Sequence, residues 1–94
     1  MSLKDRKEIT EQQIEPTLNQ LRHKIHYRLK QYGNHSFASK HEILGLITEE
    51  YHELTEAIKT ERGDYLPEVR NELLDLAVAC IFGVTCIDHK GLDW

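Results

Sequence analysis

Ile43-Leu44-Gly45-Leu46-Ile47-Thr48-Glu49-Glu50-Tyr51-His52-Glu53-Leu54 is the stretch whose reading decides the fold. At about 100° per residue, a helix places Ile43, Leu46, Ile47 and Leu54 on one stripe, which Ala57 and Ile58 continue. Glu50 falls inside that stripe and Glu53 lies on its edge. A helix that needs only a solvated face keeps its acids on the other side. A buried, unpaired carboxylate costs several kcal/mol or is forced to take a proton. Acids on a core-facing stripe therefore call for a compensating cation. Asn71-Glu72-Leu73-Leu74-Asp75 repeats the oddity downstream, ahead of the apolar run Leu76-Ala77-Val78-Ala79-Cys80-Ile81-Phe82.

Around these two stretches the chain reads as one helical domain. Pro16 suits a helical first turn, so residues 1–15 read as a polar arm and 16–94 as the folded domain. Leu18, Leu21, Ile25, Leu29 and Tyr32 recur at helical spacing up to the stop signal Gly33. Ser39-Lys40-His41-Glu42 is a capping box that opens a second helix, which runs to Lys59 or Thr60. After the turn at Gly63-Asp64, Pro67 opens a third helix that reaches about Val84. Between Leu76 and Val84 no polar face remains. A helix that is apolar all round is buried all round, which in so short a chain points to a subunit interface. The predicted fold is all-α, with short antiparallel helices completing a four-helix-bundle-like site in a homo-oligomer.

Composition narrows the function. Sixteen acids against twelve lysines and arginines leave a net charge of −4 in 94 residues. That argues against binding a nucleic-acid polymer through its phosphates. No run approaches the ~18 apolar residues of a membrane span, and Lys-Asp-Arg-Lys-Glu near the start is no signal segment. The expected location is the cytoplasm. Cys80 and Cys86 lack metal-site spacing and read as reduced core residues.

Glu50 with Glu53, and Glu72 with Asp75, are each three apart and share a helical face. A short connection makes the second and third helices antiparallel neighbours, so the two pairs can meet. All-carboxylate ligation suits a hard cation, Mg²⁺ or Mn²⁺, rather than zinc. Such an ion is a place to bind and hydrolyse a polyphosphate, and Glu49, beside the first pair, can orient or deprotonate the attacking water. EExxE (Glu49, Glu50, Glu53), eighteen intervening residues, then ExxD (Glu72, Asp75) resembles the all-α nucleoside triphosphate pyrophosphohydrolases, and among them the small MazG-like proteins. The similarity covers roughly residues 16–87. It implies Mg²⁺ ligation by Glu50, Glu53, Glu72 and Asp75, with Glu49 as the additional acid near the catalytic water. It also implies attack of water at the α-phosphorus of a nucleoside triphosphate, release of pyrophosphate, and a homodimer or homotetramer. The chain departs from the family pattern at Asn71, where a further acid is common, and at Ala79, where an aromatic residue often stacks on the base.

Tyr32, Phe37 and Lys40 are candidate substrate contacts: two aromatics beside the loop before the second helix, and a cation at that helix's N-terminus. Arg22, Lys24, Arg28 and Lys30 can neutralise phosphate from the first helix, and Arg62 and Arg70 are similar candidates. Three other readings stand beside the main one. They are a phosphoribosyl-ATP pyrophosphohydrolase, a non-catalytic helical module with a structural metal clamp, and a di-iron site suggested by Glu49-x-x-His52.

Overall fold

The start of each helix and the end of the first are set by a side chain or a glycine that satisfies helix-end groups. A computed structural model describes residues 6–33 and 35–92, the side chain of Tyr32 excepted, and these form three helices and no strand. The helices are α1 (Glu11–Tyr32), α2 (Lys40–Thr60) and α3 (Pro67–Asp88). The all-α expectation holds.

The start of α1 differs from the expectation built on Pro16. Thr10 is the N-cap: its hydroxyl accepts from the Gln13 amide at 3.2 Å, and the Gln13 side chain accepts from the Thr10 amide at 2.9 Å. That capping box outweighs the proline, which lies within the helix. Pro16 forfeits one amide bond to the preceding turn, and because residues 11–20 are all exposed, water can satisfy the freed carbonyl. Gly33, at φ 90°, closes α1 and donates its amide to the Leu29 carbonyl at 3.0 Å.

Ser39 caps α2 as expected, accepting from the His41 and Glu42 amides. Glu42 reaches one residue further back than a standard capping box requires and accepts from the Ala38 amide at 2.9 Å. α3 runs four residues beyond Val84, to Asp88. Its N-cap residue, Leu66, has φ 49° and ψ 53° and no side-chain cap of its own. Glu61 supplies the cap from the end of α2: its two carboxylate oxygens accept from the Glu68 and Val69 amides, each at 2.9 Å. A carboxylate on an N-terminus satisfies orphan donors and complements the helix dipole. Glu61→Ala is expected to cost about 1–2 kcal/mol, lowering the midpoint of a urea melt without changing its slope.

α3 is the element on which both others pack. Among the described residues α1 and α2 each contact α3, while no Cα of α1 comes within 8 Å of α2. The core is thin: Phe37, Leu54, Ala57, Val78, Ala79 and Cys86 are buried, yet no large side chain is fully so. The radius of gyration is 15.8 Å, against about 12 Å for a compact domain of this length. Within a single chain α3 is not buried all round. Leu73, Ile81, Val84 and Ile87 are exposed, and so is Cys80, which had read as a core residue. Among the described residues, only the side of α3 facing α1 and α2 is covered within one chain. No described helix is long and apolar enough to cross a membrane.

Candidate metal centre

Facing positions on α2 and α3 bring three carboxylates together. Glu50, Glu53 and Glu72 each offer an oxygen, and these oxygens lie within 4.8 Å of one another. Glu50 sits on the Leu46–Leu54 stripe that packs against α3 and is 7% exposed, whereas Glu53 is exposed and Glu72 is half-buried. One oxygen of Glu50 and one of Glu72 are buried without a hydrogen-bond partner. Leaving such a group unsatisfied costs about 1–3 kcal/mol or more when it is charged.

The electrostatics follow from that crowding. Burial pushes the Glu50 carboxyl above the usual carboxylate range, and the charges of Glu53, Asp75 and Glu72 push it further against the opposing pull of Arg28. Burial also raises Glu72, with the charge of Asp75 and a hydrogen bond to Glu53 acting the same way and Lys24 opposing them. Crowded carboxyls whose charged forms are disfavoured take up protons more readily than isolated ones. The group as it stands therefore favours bound protons, and a divalent cation would take their place.

Asp75, the fourth residue of the motif, does not join the trio. It lies about 60° round α3 from Glu72, on the side facing α1. There Lys24 Nζ stands 2.7 Å from its Oδ1 and Arg28 Nη2 stands 3.4 Å from the same oxygen. Arg28 also lies 3.9 Å from Glu50 Oε1, and Lys24 donates to Asn71 Oδ1 at 2.7 Å. Of the four α1 cations considered from sequence, Arg22 and Lys30 are exposed, while Lys24 and Arg28 are only partly so. The signal for this was present. Lys24 and Arg28 flank Leu21, Ile25 and Leu29, the apolar stripe by which α1 sits against the rest of the fold.

The remaining candidates scatter. Glu49 is exposed and, four residues before Glu53, shares its helical edge. Phe37 is buried, with its ring 5.1 Å from that of Phe82 in an edge-to-face arrangement. Both line a cavity of 220 Å³ together with Leu29, Leu46, Val78 and Ala79, and Arg28, Glu50 and Asp75 border it as well. The loop carrying Phe37 is tied to the end of α3, where Ser36 Oγ donates to the Gly91 carbonyl at 2.6 Å. A Cβ on Gly91 would stand 2.8 Å from that of Ser36, so the clasp needs glycine there. Lys40 is exposed on the first turn of α2, about 15 Å along the helix axis from Glu50. The Tyr32 side chain lies outside the described residues. Phe82 and Asn71 were not among the site residues assigned from sequence.

The trio fits a hard divalent cation by its chemistry: oxygen donors only, convergent, with two oxygens lacking any other partner. Three helices with a carboxylate trio between the second and third define an all-α, acid-centred protein. Comparison of the chain with protein-family models, with curated proteins and with solved structures gives no match.

Proposed function

We propose that the protein is a Mg²⁺-dependent nucleotide pyrophosphohydrolase of the MazG-like type, converting a nucleoside or deoxynucleoside triphosphate to the monophosphate and pyrophosphate. The observation that carries this reading is that Glu50, whose carboxylate converges with those of Glu53 and Glu72, has a buried oxygen without a hydrogen-bond partner. Without a metal ion, that arrangement carries a cost which Arg28, 3.9 Å from Glu50 Oε1, offsets only in part. A bound Mg²⁺ or Mn²⁺ would neutralise phosphate charge and make a coordinated water more acidic.

Each side chain then has a task. Glu50, Glu53 and Glu72 would hold the ion. Glu49, open to solvent on the Glu53 edge, accepts the proton of the water that attacks the α-phosphorus, and pyrophosphate leaves with the electrons of the broken P–O bond. Lys24 and Arg28 set positive charge beside the acids. The cavity next to Glu50 takes the base. Its 220 Å³ falls just below the ~300–1,000 Å³ typical of sites for drug-sized ligands, which leaves room for one heterocyclic ring system. Ala79, small where relatives of that type often carry an aromatic, opens this space, and Phe37 and Phe82 supply the aromatic surface instead.

One observation favours a second reading, a non-catalytic module with a structural metal clamp. Asp75 is engaged by Lys24 and Arg28, which leaves three ligands rather than four. A panel of NTPs, dNTPs and phosphoribosyl-ATP, assayed with Mg²⁺ for pyrophosphate release, separates the two. The hydrolase releases pyrophosphate from at least one member. The clamp gives metal-dependent melting and no turnover.

A further inference from the structure

Lys24 and Arg28 stand one turn apart on the same face of α1. Between Pro16 and Tyr32 that helix carries no acid, so the carboxylates that balance these two cations come from α2 and α3. Lys24 Nζ stands 2.7 Å from Asp75 Oδ1 and donates to Asn71 Oδ1, also at 2.7 Å. Arg28 Nη2 lies 3.4 Å from Asp75 Oδ1 and 3.9 Å from Glu50 Oε1. One guanidinium nitrogen thus reaches both an acid of the trio and the acid outside it. The side chains of Lys24, Arg28 and Asp75 are 22%, 34% and 13% exposed. Charges this far from bulk water are screened less than a surface pair.

Two features are unexpected of ion pairs that only fasten α1 to the hairpin. Both cations crowd one oxygen of Asp75, while Glu50 and Glu72 each keep a buried oxygen without a hydrogen-bond partner. Ion pairing for stability alone would spread the cations over the acids. The second feature is spare capacity. An ammonium has three donors, and among the described residues Asn71 and Asp75 engage at most two of them. Asn71 is neutral, so it steadies Lys24 without cancelling its charge. Arg28, Glu50 and Asp75 also border the 220 Å³ cavity, which places this exchange of charge beside a space that a ligand can enter.

We propose that Lys24 and Arg28 are exchange partners: they hold Asp75 in the free protein, and a polyphosphate chain takes them over and releases Asp75 toward Glu50 and Glu72. They are positioning residues, and they make tight binding of a divalent ion depend on the phosphate that accompanies it. A phosphate oxygen serves an ammonium or a guanidinium as well as a carboxylate does, so both cations can trade Asp75 for it without loss. Without them, four carboxylates would repel an arriving polyanion. The released Asp75 is one guanidinium nitrogen from Glu50, and its charge already acts on Glu50 and Glu72. The acid group then offers a hard cation four carboxylates in place of three. A bare ion meets the opposite situation, because Lys24 and Arg28 repel it and compete with it for Asp75. The inference rests on the metal-centred reading of the site and adds what that site waits for, a chain of phosphates.

Mn²⁺ and inorganic tripolyphosphate are the probes. Affinity for Mn²⁺ alone is read from the paramagnetic resonance signal of the free ion, and affinity for the Mn²⁺–tripolyphosphate complex by calorimetry. Lys24→Met is expected to bind Mn²⁺ alone about fivefold more tightly than wild type, since a repelling charge is gone and Asp75 is released. The same variant is expected to bind the Mn²⁺–tripolyphosphate complex at least about tenfold more weakly. A packing role would move both affinities together, whereas an exchange moves them in opposite directions. Lys24→Arg, which keeps the charge, is expected to stay near wild type in both. So is Lys59→Met, which removes a charge from an exposed position of α2. Should Lys24→Met not fold, Arg28→Met carries the same pair of expectations. Asp75→Asn is expected to cost more Mn²⁺ affinity in the Lys24→Met background than in wild type, and additive effects overturn the exchange. It is equally overturned, with the metal centre left standing, if Lys24→Met moves both affinities one way or neither, or if Lys59→Met reproduces its shifts. Absence of Mn²⁺ binding in every one of these proteins, with and without tripolyphosphate, ends the metal-centred reading and the exchange together.

Discussion

Glu50→Gln is expected to stabilise the protein in EDTA and to abolish its response to divalent ions. Glutamine keeps the shape of the side chain and removes the charge that burial and three neighbouring acids disfavour. Relief of one unsatisfied buried charge is worth about 1–3 kcal/mol, or several degrees in melting temperature for a domain of this size. The sign with pH follows from the raised carboxyl. A group whose pKa is higher in the folded state favours folding while it is protonated, and that contribution disappears as the pH rises through the raised value. Wild type and Glu50→Gln should therefore be nearly equal at acid pH, where both side chains are neutral. The variant should pull ahead as the pH climbs above the usual carboxylate range. Adding Mn²⁺ or Mg²⁺ near neutral pH should raise the melting temperature of wild type and leave the variant where it was. Thermal melts across pH, with and without the ion, check all three points. A variant less stable than wild type in EDTA at neutral pH would mean that Arg28 already compensates the charge.

Glu53→Ala is expected to cost at least about a hundredfold in pyrophosphate release while leaving the fold untouched. Glu53 is exposed, so truncating it opens no cavity in the packed stripe. Its carboxyl nevertheless completes the trio and contributes to holding Glu72 above its ordinary range. Losing it removes one of the three carboxylates that would fix an ion in place while the triphosphate's own oxygens complete its coordination. The substrate panel run on this variant beside wild type checks the prediction, with circular dichroism confirming that helicity is unchanged. Equal turnover would show that the reacting phosphate is held elsewhere.

How much of this was legible in the chain depends on how local each signal is. The end of α1, both limits of α2 and the start of α3 followed from Gly33, Ser39, Gly63 and Pro67, residues that act within a turn of themselves. The start of α1 was missed because Pro16 is a strong local cue and Thr10 with Gln13 a subtler one that needs both side chains to reach back. The Glu50–Glu53–Glu72 trio was legible from periodicity, since a carboxylate on an apolar stripe is anomalous before any partner is known. Asp75 shares the motif, but its surroundings are set by α1, which arrives from more than forty residues away carrying Lys24 and Arg28. Nothing within a turn of Asp75 announces them. The same holds for Phe82, whose meeting with Phe37 depends on the Ser36–Gly91 clasp. The apolar all-round character of α3 was legible as an anomaly. Which half is covered by the chain itself became readable only once α1 was placed.

The reach of Glu61 across the turn also bears on the order of folding. Only a handful of residues separate this carboxylate from the two amides it holds, and closing a loop of that size takes on the order of 10–100 ns. The α2–α3 pair can therefore form from contacts near in sequence, which favours rapid folding. Docking of α1 has to close a far longer separation before its ion pairs give any return. The hairpin is thus the natural nucleus, and Glu61→Ala should slow refolding more than it speeds unfolding.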